Sequence, residues 1–173
     1  MAVFDDCFSF VIGVEGGYTD NPNDPGNWTG GAPNQGQLKG TKFGISAKAY
    51  PDLDIPNLSL ADAEAIYRRD YWNKLQGDSL PAPVALVAFD SAVNAGVRNA
   101  ARWLQMAAGA TPDGVIGPQT LAAVAAKQPG AVVVEMLAQR NAYNYGLSAA
   151  ASFGLGWSRR LFAVSQQAAI IQA

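Results

Sequence analysis

Apolar residues recur at helical spacing through most of the chain, and no long stretch alternates as a strand would. The first such segment predicts an amphipathic helix over residues 4–15, which a pair of glycines would end. Ser59 followed by Asp62 is similar to a capping box and predicts a helix that begins there and runs to about Leu75. Further helices are predicted from Pro81 to Gly96 and over residues 98–108, 118–127, 130–150 and 157–170.

One long segment interrupts the helical pattern. Residues 18–41, YTDNPNDPGNWTGGAPNQGQLKGT, are dense in Gly, Pro, Asn and Asp, which are the residues of turns and loops. Loops of this length inside compact domains are usually functional or disordered. We therefore predict an all-α fold with a small β-hairpin within residues 18–45, and we look for chemistry in or beside this loop.

Composition places the chain among globular proteins. Its 173 residues are 49% apolar and 15% charged, which predicts a single domain over residues 1–173. The net charge of −2 argues against a nucleic-acid partner. Residues 1–15 carry two aspartates where a signal peptide would be positive, and no apolar stretch approaches about 20 residues. We expect synthesis in the cytoplasm without a signal peptide.

The residue types that are missing narrow the chemistry further. The chain has no histidine, which excludes Ser-His-Asp and Cys-His hydrolases and the usual zinc hydrolases. Its single cysteine, Cys7, cannot form an internal disulfide or a thiolate cluster, and is expected to be a buried apolar residue. We predict no metal and no cofactor. If the protein is an enzyme, carboxylate chemistry is the leading option.

Two carboxylates stand in contrasting surroundings. Glu15 is expected at the end of the first helix beside Phe8 and Ile12, where burial would raise its pKa. Asp24 lies in the polar loop and is expected to stay ionised. A protonated acid facing an ionised carboxylate is the arrangement that glycoside hydrolysis requires. Taken alone, this pair is more often a helix cap and a solvated charge.

The wider motif pattern resembles glycoside hydrolase family 108. It consists of EGGY at residues 15–18, NPNDPG at 21–26, TKFGIS at 41–46, FDSAVNAG at 89–96 and DGVIGPQT at 113–120. The resemblance extends over essentially the whole chain. It implies a lysozyme-like all-α fold and an N-acetylmuramidase that cleaves the β-1,4 bond between N-acetylmuramic acid and N-acetylglucosamine, as in phage endolysins.

The resemblance also assigns site residues by position. Glu15 matches the general acid, and Asp24 matches the second carboxylate. A threonine that positions water has two candidates. Thr29 has the shorter family spacing from Asp24, whereas Thr41 directly precedes Lys-Phe-Gly-Ile. Because residues 27–40 resemble an insertion, we favour Thr41, although either threonine could simply bond its own turn.

Substrate contacts are predicted at two further positions. Tyr18 and Trp28 lie in or beside the predicted cleft, where aromatic rings stack on sugars or anchor loops. Asn94 could line the cleft opposite Glu15, as the family match suggests, or bond Asp90 one helical turn earlier. Of these, we predict Tyr18 and Asn94 as substrate-binding residues.

The same resemblance predicts a division of labour along the chain. Residues 1–90 would be the catalytic part, and residues 91–165 a peptidoglycan-binding part packed on it. The predicted partner is peptidoglycan, reached by a monomer that a holin or a secretion system exports to the cell wall or periplasm.

Two rival functions and two stereochemical outcomes remain. A lytic transglycosylase needs one acid and leaves a 1,6-anhydro product. A non-catalytic wall-binding protein could also keep the fold. The presence of both Glu15 and Asp24 argues against each. A water-positioning threonine favours inversion over retention, because water then attacks directly.

Overall fold

The computed structural model describes residues 3–13 and 17–171. Within these residues, seven α-helices accompany three two-residue strands, which form one antiparallel sheet in the order β1-β2-β3. The helices are α1 (Val3–Ile12), α2 (Leu60–Tyr67), α3 (Ala82–Ala95), α4 (Val97–Ala108), α5 (Pro118–Ala125), α6 (Pro129–Tyr145) and α7 (Ala150–Ile171). The strands are β1 (Tyr18–Thr19), β2 (Thr41–Lys42) and β3 (Ile45–Ser46). The prediction of an all-α fold with a small hairpin is confirmed.

The chain divides into two compact units, which we describe separately. Residues 8–68 form the first unit, which contains the sheet, the long loop and α2. Residues 1–7 and 69–173 form the second, which contains α3 to α7.

A tight turn joins β2 to β3 in the first unit. Phe43 and Gly44 both have positive φ, 51° and 74°, as a two-residue hairpin turn of type I′ requires. The Tyr67 hydroxyl donates to the Phe43 carbonyl oxygen at 3.1 Å and so ties α2 to this turn. A Cβ on Gly44 would lie 2.5 Å from that hydroxyl, so only glycine fits here. The buried apolar residues of this unit are Phe8, Val11, Ile45, Ala47, Ile55, Leu58, Ala63, Ile66 and Tyr67.

The predicted capping box begins α2. The Ser59 hydroxyl accepts a hydrogen bond from the Asp62 backbone N–H, and the Asp62 carboxylate accepts one from the Ser59 N–H, both at 3.1 Å. Beyond Tyr67 the chain continues as a π-helical turn over Arg68–Trp72 and a 3₁₀ turn over Asn73–Leu75. The helical segment therefore extends to Leu75, as predicted, although its last two turns are not α-helical.

Aromatic rings and one central helix make the core of the second unit. Phe4, Trp72 and Phe89 form a cluster with ring centroids 5.2 to 5.9 Å apart. Helix α3 is buried continuously from Pro83 to Ala92 and packs against α4, α6 and α7. A helix that is apolar on all sides is stable only at the centre of such a bundle. Gly96, with φ 87°, ends it as predicted.

A buried charge cluster joins three helices of the same unit. Asp90 on α3 is fully buried, and its carboxylate accepts hydrogen bonds from Arg140 on α6 at 2.5 Å and from Arg160 Nε on α7 at 2.7 Å. Of two arginines adjacent in sequence, Arg159 is exposed, whereas Arg160 is an ion-pair partner of Asp90.

Three helix ends differ from the predictions. Helix α1 ends at Ile12 and not at residue 15, because Gly13 takes φ 67°. Helix α6 ends at Tyr145, and α7 begins at Ala150, seven residues before the predicted start. Glycines within residues 150–157 lower helix propensity, but the rings of Phe153 and Trp157 stack one turn apart and help to hold this first part of α7.

Among residues 3–13 and 17–171, no single helix combines the length and apolar character needed to cross a membrane. The pair α5 and α6 meets both criteria together but is bent by 117°.

Candidate active site

The predicted acid, Glu15, lies outside the described residues, as do Val14 and Gly16. The expectation that Glu15 lies at the end of the first helix therefore stays a prediction. The raised pKa expected for Glu15 stays a prediction.

Asp24 is exposed in the long loop, where it caps a 3₁₀ turn over Pro25–Asn27. Its Oδ1 accepts a hydrogen bond of 2.8 Å from the Gly26 N–H, which fixes the direction of the carboxylate. A Cβ on Gly26 would approach Oδ1 to 3.2 Å, so a larger residue there would crowd it. The carboxylate is thus oriented by the backbone while it remains open to solvent.

Thr41 begins β2 and is linked to the Asp24 turn through one buried residue. Its hydroxyl donates to Asn27 Oδ1 at 2.7 Å. The Asn27 backbone N–H donates to the Asp24 carbonyl oxygen at 3.1 Å. Asn27 therefore bonds two of the predicted site residues. Its side chain accepts the hydrogen bond from Thr41, and its backbone N–H donates to the backbone of Asp24.

Asn27 also closes the base of the inserted segment. Its carbonyl oxygen accepts hydrogen bonds of 3.0 Å from the N–H groups of Lys39 and Gly40, so the chain returns to β2 beside its point of departure. Asn27 is fully buried. Sequence reasoning missed it, because an asparagine in a loop rich in Gly and Pro is typical of an ordinary turn.

The other threonine candidate has a structural partner inside the insertion. The Thr29 hydroxyl accepts a hydrogen bond of 2.8 Å from the Gln37 N–H, and the Thr29 N–H donates to the Gln37 carbonyl oxygen at 3.0 Å. Trp28, considered as a sugar platform, donates its indole N–H to the Pro22 carbonyl oxygen at 2.8 Å and is partly buried. Both threonine hydroxyls thus have a structural partner, and the choice of Thr41 stays a prediction, whereas the contact of Trp28 fits a loop anchor.

Tyr18 lies on β1, beside β2. It pairs with Lys42 in register, and its neighbour Thr19 pairs with Thr41. Gly40, with φ 80°, allows this approach, since a Cβ there would lie 2.6 Å from the Tyr18 ring. The ring is 42% exposed. Loss of hydration, and then the charge of Asp20, raise the pKa of Tyr18, so its hydroxyl stays protonated near neutral pH and can donate a hydrogen bond.

Asn94 belongs to the other unit, near the end of α3. It is exposed, and its Nδ2 donates to the Asp90 backbone carbonyl at 2.8 Å. The predicted link between Asn94 and Asp90 therefore runs through the backbone, because the Asp90 carboxylate is occupied by arginines. The substrate role of Asn94 stays a prediction.

The DGVIGPQT segment folds around a buried glutamine. Gln105 donates to Asp113 Oδ1 at 2.7 Å and accepts from the Gly114 N–H at 2.8 Å. Hydrogen bonds from the Val115 N–H and then from Gln105 lower the pKa of Asp113 and keep it ionised. An open cavity of about 450 Å³ lies beside this turn. The segment thus has a clear structural role, and wall binding by it stays a prediction.

Other chemistry finds little support among residues 3–13 and 17–171. These residues contain no cluster of three or more His, Cys, Asp or Glu that could hold a metal ion. Burial, and then the charge of Asp6, raise the pKa of the Cys7 thiol to about 12, so it is protonated and a poor nucleophile. What the described site offers is a carboxylate directed by the Gly26 N–H and a hydroxyl directed by Asn27, two groups of the kind that can hydrogen-bond a water molecule.

Comparison with known proteins agrees with this chemistry. The family model "Glycosyl hydrolase 108" matches residues 8–96, and the model "Predicted Peptidoglycan domain" matches residues 99–162. The solved structure titled "Structure of Brucella abortus SagA" is similar at a TM-score of 0.82 and 34% identity, over 98% of this chain and 95% of that one. The curated proteins contain no match.

Fold, site and matches together define a glycoside hydrolase that acts on peptidoglycan. The chain belongs to glycosyl hydrolase family 108. The resemblance inferred from its motifs, and the lysozyme-like fold that it implied, are confirmed.

Proposed function

We propose that this peptidoglycan hydrolase is an N-acetylmuramidase of the lysozyme type. It would cleave the β-1,4 bond between N-acetylmuramic acid and N-acetylglucosamine. The observation that carries the proposal is the attachment of both residues to buried Asn27, which bonds the backbone of Asp24 and the hydroxyl of Thr41, while the Gly26 N–H directs the Asp24 carboxylate.

Each site residue has one role in the proposed reaction. Glu15 donates its proton to the glycosidic oxygen as the bond to the sugar C1 breaks. A water molecule bonds to C1 from the opposite face, and its proton passes to Asp24. Thr41 orients that water. Direct attack by water inverts the configuration at C1, so a β-linked glycan yields an α-configured product.

Two further residues are proposed to bind the substrate. Tyr18 presents an exposed ring beside β2, which suits stacking on a sugar face, and Asn94 presents an amide for hydrogen bonding. Residues 1–90 would form the catalytic part and residues 91–165 the wall-binding part of one lysozyme-like domain. The second family match supports peptidoglycan contacts within residues 99–162.

The cellular role is part of the same proposal. The protein would be made in the cytoplasm as a monomer and act on the wall or in the periplasm, after release by a holin or a secretion system, in endolysin-like lysis. Expression in the bacterial cytoplasm with and without a co-expressed holin tests this. Lysis that needs no release partner would contradict it.

Product analysis tests the activity itself. Purified peptidoglycan is digested, and the fragments are identified by mass spectrometry. We expect reducing N-acetylmuramic acid ends. 1,6-Anhydro ends would identify a lytic transglycosylase, and intact glycan bound to the protein would identify a non-catalytic wall-binding protein. NMR of the first-released anomer on a defined glycan then tests stereochemistry, and a β-configured first product would contradict inversion.

A further inference from the structure

We infer that Asn27 is a positioning residue for hydrolysis, because it fixes the Thr41 hydroxyl as a hydrogen-bond acceptor toward the attacking water. The inference rests on the proposed function, since it requires Thr41 to orient that water. The role of Asn27 depends on which partner donates the proton in its hydrogen bond with Thr41.

The orientation of the Asn27 amide follows from its surroundings. Its Nδ2 lies 3.0 Å from the Asn21 backbone carbonyl oxygen, which can only accept a hydrogen bond. The amide must therefore present its NH₂ to Asn21, and its oxygen to Thr41. An amide oxygen also only accepts, so at 2.7 Å the Thr41 hydroxyl must donate its single proton to Asn27.

This donation determines what Thr41 can offer to a ligand. With its proton committed to Asn27, the hydroxyl keeps two lone pairs and can act only as an acceptor. A water that donates one O–H to Thr41 and the other to the Asp24 carboxylate has its own lone pair left for the sugar C1. A freely rotating hydroxyl could instead donate to the water, which would take up one of the two lone pairs of the water oxygen and make it a weaker nucleophile.

Burial makes this arrangement rigid. Asn27 is fully buried, and its backbone N–H and carbonyl oxygen are also bonded, to Asp24 and to Lys39 and Gly40 respectively. Asn21 in turn accepts from the Asp24 N–H at 3.1 Å as well as from Asn27. One side chain thus connects the turn that carries Asp24 with the start of β2, and small misplacements of reacting groups cost up to about 100-fold in rate.

A double-mutant cycle tests the coupling. Asn27→Leu keeps the approximate volume but removes the acceptor, and Thr41→Val removes the hydroxyl. Both variants and their combination are assayed for kcat and KM below their melting temperatures. We expect Asn27→Leu to lower kcat roughly 10- to 100-fold with little change in KM, and to cause no further loss beyond about twofold when Thr41→Val is already present.

Thr29→Val is the matched control, because its hydroxyl bonds only within the insertion in the contacts described above. Its effect on kcat should multiply with that of Asn27→Leu, since the two do not share the attacking water. If Asn27→Leu lowers kcat by the same factor with and without the Thr41 hydroxyl, Asn27 supports the fold alone and the inference is wrong.

A second variant gives an answer even where Asn27→Leu fails to fold. Asn27→Asp keeps the shape, and a buried carboxyl facing the Asn21 carbonyl has a raised pKa. When protonated, it can donate to Asn21 and accept from Thr41, as Asn27 does. The protonated variant should therefore keep kcat close to that of the parent at the low end of the pH range, and a loss of about tenfold or more there would overturn the inference.

Product analysis of the parent enzyme distinguishes a failure of this inference from a failure of the proposed function. Release of 1,6-anhydro ends by the parent would contradict both the muramidase proposal and the role of Asn27. Additive losses in a parent that releases reducing N-acetylmuramic acid ends would contradict the role of Asn27 alone.

Discussion

Single residues in the long loop are placed by hydrogen bonds and not by apolar packing. Asp24 is exposed yet directed by the Gly26 N–H, and Thr41 is directed by the Asn27 amide. Such bonds each contribute only about 1 kcal/mol to stability. Their main effect at this site is to fix the positions of the two side chains, and fixed positions of reacting groups increase a reaction rate.

The acid is tested by an isosteric change. Glu15→Gln removes the transferable proton, and we expect a folded protein whose lytic activity falls by at least about 100-fold, the range of general acid catalysis. Turbidity loss of purified cell walls measures activity, and circular dichroism checks the fold. A folded Gln variant that clears walls near the parent rate would refute the assignment.

The second carboxylate is tested against a neighbouring one. Asp24→Asn keeps the hydrogen bond from Gly26 but cannot take a proton from water, so kcat should fall by about 100-fold or more. Asp20→Asn is the matched control, since Asp20 is also exposed in the same loop and has no proposed role. Equal effects of the two changes on kcat would argue against a catalytic Asp24.

At the scale of elements, short local signals place the helix starts, and glycines place several helix ends. The capping box of Ser59 and Asp62 begins α2, and Gly96 ends α3. Helix α7 is the exception, because it passes through Gly154 and Gly156. Its residues Leu161, Val164 and Ala168 are buried in the bundle. The free energy of this packing outweighs the loss of helix propensity, which is about 1 kcal/mol per glycine.

The capping box predicts a pH dependence of stability. Hydrogen bonds from the Ser59 hydroxyl, and then from its backbone N–H, lower the pKa of Asp62 below the ordinary 3.8. A lowered folded-state pKa contributes stability above the unfolded value, and this is lost as pH falls through the folded one. In urea unfolding, Asp62→Asn should therefore be less stable than the parent near pH 6, and the difference should shrink as pH falls below 3.8 toward the lowered folded-state pKa.

Removing the capping partner provides the control for this series. In a Ser59→Ala background the Asp62 carboxylate loses the hydrogen bond from the Ser59 hydroxyl, so Asp62→Asn should change the pH dependence of stability much less. A pH dependence that is the same in both backgrounds would show that Ser59 is not its cause.

At the scale of the whole molecule, the second unit depends on a charge buried among helices. Asp90 on α3 is shared by Arg140 on α6 and Arg160 on α7. Burying such a group carries a large desolvation cost, which is offset only while all partners are present. The cluster therefore specifies how these three helices align more than it adds net stability.

Removal of the central charge should be strongly destabilising. Asp90→Asn leaves Arg140 buried beside no carboxylate, which costs about 3–5 kcal/mol, or on the order of 10 °C in melting temperature for a chain of this size. Arg159→Gln is the matched control, because Arg159 is exposed and adjacent to Arg160. It should change stability by no more than about 0.5 kcal/mol. Calorimetry that finds equal shifts for both would contradict this.

The activity of the complete protein should not depend on a metal. The chain has no histidine and one cysteine, and the proposed reaction uses only carboxyl groups, a hydroxyl and water. Prolonged EDTA treatment followed by dialysis should leave kcat unchanged on purified cell walls. Loss of activity that a divalent cation restores would refute the metal-free mechanism.

The helical class, most helix starts and the family follow from the sequence alone, because periodicity, caps and short motifs are local features, whereas the roles of the two carboxylates stay predictions. Tertiary structure decided what depends on distant partners. The chain returns across residues 27–40 to bring Thr41 onto Asn27, and Asp90 meets arginines 50 and 70 residues away. Neither contact follows from spacing, since a hydrogen bond between remote residues is selected by burial and geometry that form only when the chain folds.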